Sequence, residues 1–206
     1  MTKPDITAAY DLTSPEESKK LYADWAESYD EDLAVGMHFL MPGHVAAIYA
    51  AEGGEGPVLD AGAGTGLVGE ALAERGIGPV DALDLSPEML AVAGRKGVYR
   101  GLHEGNLLER LPLPDNAYAG VVSSGTFTTG HVGPAALHEL LRVAAPGALF
   151  VIAINEKFYV AEGFDRKLDA LAEITDLRLE ERPYYGEGAE GEHRDSVGKI
   201  AIFRKG

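Results

Sequence analysis

The residues that could do chemistry gather around one glycine-rich stretch, Val58-Leu59-Asp60-Ala61-Gly62-Ala63-Gly64-Thr65-Gly66. Its glycines permit positive φ and let a bound molecule approach the backbone without meeting a Cβ. Gly64-Thr65-Gly66-Leu67-Val68-Gly69 also satisfies the G-x-G-x-x-G pattern, in which a pyrophosphate rests on a helix amino terminus. Asp60 speaks against that use, because a carboxylate just ahead of the loop repels a diphosphate and suits an amino group. A second acid, Asp84, ends the next apolar run, Asp81-Ala82-Leu83-Asp84-Leu85-Ser86. There a carboxylate can accept hydrogen bonds from both hydroxyls of a ribose, with Leu85 and Met89 offering apolar surface to a flat ring. For proton transfer the candidates are His131, in Gly125-Thr126-Phe127-Thr128-Thr129-Gly130-His131, and His38 and His44, near Met37, Phe39 and Met41. His103, His138 and His193 have no special setting.

What the chain lacks narrows the chemistry further. It has no cysteine, which removes disulfides, thiolate nucleophiles and cysteine-ligated zinc together. No HExxH occurs, and Pro134 separates His131 from His138, so no metal site is expected. Ser123-Ser124-Gly125 lacks the G-x-S-x-G frame of a nucleophile elbow.

These groups must be positioned by elements that alternate along the chain. Strands are predicted at 57–60, 80–85, 98–103, 119–124 and 148–154, with helices from Leu67 to Gly76, from Ser86-Pro87 to Gly97, and from Pro134 to Val143. Strand–helix alternation predicts a parallel sheet covered on both faces. Ahead of it, Ser14-Pro15-Glu16-Glu17 reads as N-cap, first-turn proline and capping box of a helix running to about Asp30. Residues 1–13 read as a loosely held leader, and a second helix is predicted from His44 to Ala51. At the other end, Leu177–Tyr184 and Val197–Phe203 read as strands with no helix between them, so they must pair antiparallel. The expected fold is α/β, a doubly wound, mainly parallel seven-stranded Rossmann-like sheet with a C-terminal antiparallel hairpin and an N-terminal helical lid. One domain is expected over 1–206, with the lid at 1–50 and the α/β core at 56–206.

Charge bears on partners. With 33 acidic and 18 basic residues in 206, the formal charge is -15, which repels phosphate backbones and anionic headgroups. Neither nucleic acid nor membrane is an expected partner. No apolar signal segment opens the chain, so the expected location is cytoplasmic.

Leu59-Asp60-Ala61-Gly62-Ala63-Gly64-Thr65-Gly66 resembles motif I of the class I S-adenosylmethionine-dependent methyltransferases. Asp84 stands where that family carries its ribose-binding acid. Glu104-Gly105-Asn106-Leu107-Leu108 is similar to the family's Gly-Asp segment, whose Asp commonly meets the adenine amino group. Here the residue is Asn106, whose amide oxygen can still accept from that amine. Val121-Val122-Ser123-Ser124-Gly125-Thr126 resembles motif IV, and Leu140 to Ala148 the helix–turn–strand after it. Tyr22-Ala23-Asp24-Trp25-Ala26-Glu27-Ser28-Tyr29-Asp30 puts three aromatics on one helical face. It resembles a YxxWAxxYD segment of small-molecule methyltransferases, closest to the methyltransferase-like group named after the Williams–Beuren syndrome region. In all, the likeness covers residues 20–155 well.

The resemblance implies S-adenosyl-L-methionine as cofactor and S-adenosyl-L-homocysteine as product, with a small-molecule acceptor. The cofactor residues implied are Tyr22, Trp25, Tyr29, Asp60, Gly62, Gly64, Gly66, Asp84, Leu85, Met89, Asn106, Leu107 and Ser123. Aromatic faces of the lid can attract a sulfonium. Methyl transfer needs an aligned acceptor and excluded water, and a base only where the acceptor is protonated; His131 and His38 are the candidates. Two other readings stand beside this one. The first, a nicotinamide-dependent oxidoreductase, lacks a Tyr-xxx-Lys pair and a separate substrate domain. The second is a protein that binds the cofactor without turnover.

Overall fold

The structure is a computed structural model and describes residues 15–35, 38–128, 131–187, 189 and 194–206. The leader and Ser14 of the expected capping box lie outside the described residues, as do Met37, Thr129, Gly130 and His193. Helix α1 spans Pro15–Trp25, a π-helical turn Asp30–Val35 follows, and α2 spans Met41–Ala51. Then come β1 (Val58–Ala61), α3 (Leu67–Ala73), β2 (Val80–Asp84), α4 (Pro87–Arg95), β3 (Gly101–Glu104) and β4 (Tyr118–Phe127). The chain continues as α5 (Ala136–Val143), β5 (Ala144–Asn155), α6 (Glu156–Ala161), α7 (Phe164–Ala170), β6 (Ile174–Pro183) and β7 (Val197–Lys205).

The seven strands form one sheet in the order β3-β2-β1-β4-β5-β7-β6, with β7 antiparallel to both β5 and β6 and the other pairs parallel. Strand periodicity divides the core between the two faces. Leu59, Val121, Phe150, Ile152 and Phe203 pack with Leu137, Leu140 and Phe164 on one face. Their neighbours Val58, Val122, Leu149, Val151 and Ile202 pack with Met41, Val45, Tyr49 and Leu72 on the other. Burying a Phe or Leu side chain contributes about 1.5–3 kcal/mol, so these two clusters fix which way each strand end points.

The order reverses between β1 and β4, and a doubly wound sheet opens its crevice where that happens, at the carboxyl ends of the strands. Local chemistry reinforces this. Ser86 caps α4 by accepting from Met89 N at 3.2 Å, with Pro87 at the first helical position.

Several boundaries differ from the sequence reading. The first helix stops at Trp25 rather than near Asp30, because Asp32 Oδ2 takes hydrogen bonds from Trp25 Nε1 and Ser28 Oγ, both at 2.9 Å. Such local side-chain bonds compete with helix propagation. Helix α2 starts three residues early, at Met41, with Pro42 in its first turn. It buries Met41, Val45, Ala46 and Tyr49 against the sheet, so although it falls within residues 1–50 it packs as core and not as lid. Helices α6 and α7 were not anticipated; Asn155 starts α6 by accepting from Lys157 N and Phe158 N. No helix among the described residues is long and apolar enough to cross a membrane.

Candidate functional site

At the switch point the ends of β1, β2 and β4, together with α1, enclose a cleft of about 960 Å³, open mouth included. The β1 end supplies Gly62, Ala63, Gly64 and Thr65. All of Gly62, Gly64 and Gly66 have positive φ, at 70°, 54° and 95°. A Cβ on Gly64 would meet nothing within 4 Å, so the bare backbone faces open space. On the β2 side stands Asp84, whose Oδ2 accepts from Gly64 N at 2.7 Å and Oδ1 from Ser86 N at 2.9 Å. Burial raises the Asp84 carboxyl above its ordinary range, against those N–H groups, which favour the charged form. A carboxylate offers about four lone-pair sites, so two remain for a ligand. Leu85, Met89, Leu107 and Leu108 complete an apolar slot beside it. Asn106 also lines this side, its Oδ1 accepting from Leu108 N at 3.0 Å and its Nδ2 donating to Glu109.

On the β4 side the lining is Ser124, Gly125, Thr126, His131 and Val132, met by Phe39 and Pro42. The lid contributes Ser18, Tyr22 and Tyr29. Tyr22 OH and His131 Nε2 are 2.8 Å apart, a hydrogen bond that joins lid to sheet. Ion pairs clasp the same lid: Lys19–Glu104 at 2.6 Å, Arg95–Glu27 at 2.8 Å, and Lys96 between Asp30 and Glu70 at 2.6 Å each. Thr65 Oγ1 donates to Asp30 Oδ1 at 2.5 Å. The exposed Lys19–Glu104 and Arg95–Glu27 pairs each contribute little, whereas the largely buried Lys96 makes the firmer hold.

Six residues singled out in the sequence stand behind the cleft rather than on its wall. Trp25 is buried and bonds to Asp32, its ring edge-on to Tyr29 at 4.9 Å, so it props the aromatics that do line. Ser123 is buried and donates to Ala61 O at 2.7 Å, tying β4 to β1. Gly66 opens α3 against the Tyr99 ring. His38, with φ 51°, pairs by its backbone with Gly186 and does not line the cleft; its neighbour Phe39 does. His44 is likewise absent from the lining, its Nε2 buried without a partner and its pKa lowered by burial.

Asp60 is the sixth. It is fully buried, and its Oδ2 accepts from the Tyr99 hydroxyl at 2.7 Å, while that phenolic oxygen accepts from Gly69 N at 3.2 Å. Burial pushes the Asp60 carboxyl up to about 7, opposed by the Tyr99 hydrogen bond and reinforced by the Asp84 charge. Burial, then the Asp60 charge, hold the Tyr99 phenol protonated well above its usual range. Tyr99 went unnoticed in the sequence, yet it locks the acid to the helix after the glycine turn. Because the native state of Asp60 holds its proton more tightly than the unfolded chain, its stabilisation is complete below about pH 4 and is lost as pH rises through 7. Asp60→Asn has no such term. Thermal and denaturant melts from pH 5 to 8 should therefore show the wild type losing ground to Asp60→Asn, by about 2.5 kcal/mol across that window. A gap that ignores pH would mean Asp60 is ionised throughout.

A family model described as a methyltransferase domain matches residues 59–152, the span from the glycine turn through β5. The chain is 31% identical over 186 residues to the malonyl-[acyl-carrier protein] O-methyltransferase of Serratia marcescens, covering 84% of this chain and 69% of that one. It is 29% identical over 175 residues to methyltransferase-like protein 27 of Homo sapiens, covering 81% and 70%. Among solved structures, a TehB-like SAM-dependent methyltransferase from Corynebacterium glutamicum superposes with TM-score 0.63 at 22% identity, covering 90% of this chain and 98% of that one. That last likeness speaks of fold. The sequence matches, together with a glycine turn bared to the cleft and a strand-end acid with lone pairs to spare, fit S-adenosylmethionine. The chain belongs to the class I S-adenosylmethionine-dependent methyltransferases.

Proposed function

We propose that this methyltransferase passes the methyl group to a small-molecule acceptor held between the lid and the end of β4, by in-line displacement. The observation that carries the reading is the Tyr22–His131 hydrogen bond, which brings a phenol and an imidazole of the cleft lining together between the lid and the end of β4. When bound, the cofactor supplies an electrophilic methyl on a sulfonium. The chain's own residues bind, align and keep water out. Asp84 would accept from the ribose hydroxyls, Leu85, Met89 and Leu107 would offer apolar surface to the adenine, and Asn106 would hold its edge. Gly62 and Gly64 let the amino-acid end lie on the backbone, and the Tyr22 and Tyr29 rings face the cation. Asp60, Gly66, Ser123 and Trp25 act from behind as positioning residues.

A protonated acceptor must lose its proton as the new bond forms. That proton goes to the Tyr22 oxygen while Tyr22's own proton moves to His131 Nε2, so His131 ends as the base. His38, off the cleft wall, has no part in this. The Serratia marcescens relative is named for an acyl group on a carrier protein, which speaks against nucleic acid as the acceptor.

The test uses cofactor labelled in the methyl group and a cell extract split into a small-molecule filtrate and a macromolecular fraction. Label should appear in the filtrate. His131→Ala should slow its appearance by about 10²-fold, the usual contribution of a general base, while product affinity measured by calorimetry stays level. Label confined to protein or nucleic acid, or a His131→Ala rate equal to wild type, would overturn the reading.

A further inference from the structure

We propose that the acceptor is an uncharged planar molecule bearing a hydroxyl, a phenol in kind; this rests on the function proposed above. Among the described residues that line the cleft there is no Lys or Arg, and the one carboxylate is Asp84, which lies on the β2 side and already accepts from Gly64 and Ser86. The cations beside the mouth are spent on the lid: Lys19 on Glu104, and Lys96 on Asp30 and Glu70. An anionic acceptor would enter against a formal charge of -15 and find no counter-charge. A cationic one would find no free carboxylate on the β4 side.

What the β4 side does offer is an apolar wall of Phe39, Pro42 and Val132 facing the hydroxyls of Ser124 and Thr126. Gly125, at φ 80°, exposes its backbone to Phe39, whose Cζ would lie 3.8 Å from a Cβ at that position. Phe39 is in turn stacked on Tyr184, at 6.0 Å and 20° between planes. A flat ring laid on Phe39 would extend that stack. The hydroxyl has partners waiting. Ser124 Oγ, on the cleft wall, is buried with no hydrogen-bond partner, a state that a ligand's polar group relieves. In transfer, the methyl's bond to sulfur breaks, its bond to the acceptor oxygen forms, and the hydroxyl proton leaves through Tyr22 to His131.

The experiment titrates the product-saturated protein, at about pH 7.5, with three probes of one shape: 1-naphthol, 1-naphthoate and 1-naphthylmethylammonium. Calorimetry should show naphthol binding, with both ions at least roughly tenfold weaker, a difference of about 1.4 kcal/mol. Phe39→Ala should abolish naphthol binding and Ser124→Ala should weaken it, with S-adenosylhomocysteine still bound in each. If either ion binds as tightly as naphthol, or naphthol fails to bind at millimolar concentration while S-adenosylhomocysteine binds, this inference falls alone. Should S-adenosylhomocysteine itself fail to bind the wild type, both this and the function it rests on fall together.

Discussion

Replacing Asp84 by alanine should weaken S-adenosylmethionine binding by about a hundredfold and leave the sheet folded. Hydrogen bonds to a charged group are worth about 1.5–3 kcal/mol each, and two lone-pair sites of this carboxylate are left for a ligand. Losing both, with partial replacement by water, gives about 3 kcal/mol, hence the hundredfold. A second loss compounds the first. Gly64 N and Ser86 N, now bonded to Asp84 at 2.7 and 2.9 Å, would lose their acceptor, so the glycine turn would no longer be held to the end of β2. The fold itself should survive, because α4 keeps its own cap, Ser86 to Met89 N. Asp84→Asn separates the two effects. Its amide oxygen can still hold one backbone N–H, so its loss should be closer to tenfold. Calorimetric titration beside thermal melts reads both; a change of less than about threefold in Asp84→Ala would remove the ribose role.

Much of this architecture was legible because its determinants are local. The strand–glycine–helix junction at 58–67, the Ser86-Pro87 cap and the acid closing β2 are each written within a few residues, and each recurs in the structure. The antiparallel end followed from the missing crossover helix. What the sequence hid depends on residues far apart in the chain. Tyr99 reads as an ordinary residue of the strand expected at 98–103; only the packing of β3, which starts at Gly101, beside β2 brings its hydroxyl to Asp60 and Gly69. Phe39, rather than His38, reaches the cleft because a two-residue bridge to Tyr185 turns the chain there, and positive φ at His38 has no sequence signal outside glycine. Helices α6 and α7 are six and seven residues long, too short for periodicity to announce them.

Asp60 shows how a correct conclusion can outlive part of its argument. From the sequence alone it stands as a charge that repels a diphosphate and suits an amino group. In the fold it is sealed behind the turn, bonded to Tyr99, with its carboxyl pushed up to about 7 and so only partly ionised at neutral pH. The preference for a nucleoside with an amino-acid tail over a dinucleotide therefore rests on the bare turn, on Asp84 and on the methyltransferase relatives. A cation on the turn would draw the Asp60 proton off, so the acid still contributes to binding, through the field rather than by contact.

Gly62→Val should be the most damaging single change in the cleft, and its neighbour supplies the control. Gly62 has φ 70°, a conformation costing an L-residue about 1–2 kcal/mol. A Cβ there would stand 1.9 Å from Thr126 Oγ1 and 2.8 Å from Thr126 Cβ. Thr126 cannot easily yield, since its hydroxyl donates to Ala61 O at 3.2 Å or Gly62 O at 3.3 Å and its backbone belongs to β4. Forcing the two apart adds about 1–3 kcal/mol of overpacking and shifts the turn against the cofactor. Valine adds two more methyls, so binding should fall beyond detection even where the chain still folds. Gly64 has nearly the same strain, φ 54°, but nothing within 4 Å of its Cβ position. In denaturant melts Gly62→Ala should therefore lose about 1–3 kcal/mol more than Gly64→Ala, the difference being the collision with Thr126 alone. Equal losses in the two variants would mean that Thr126 does not press on the turn, and that the end of β4 is set by something other than this contact.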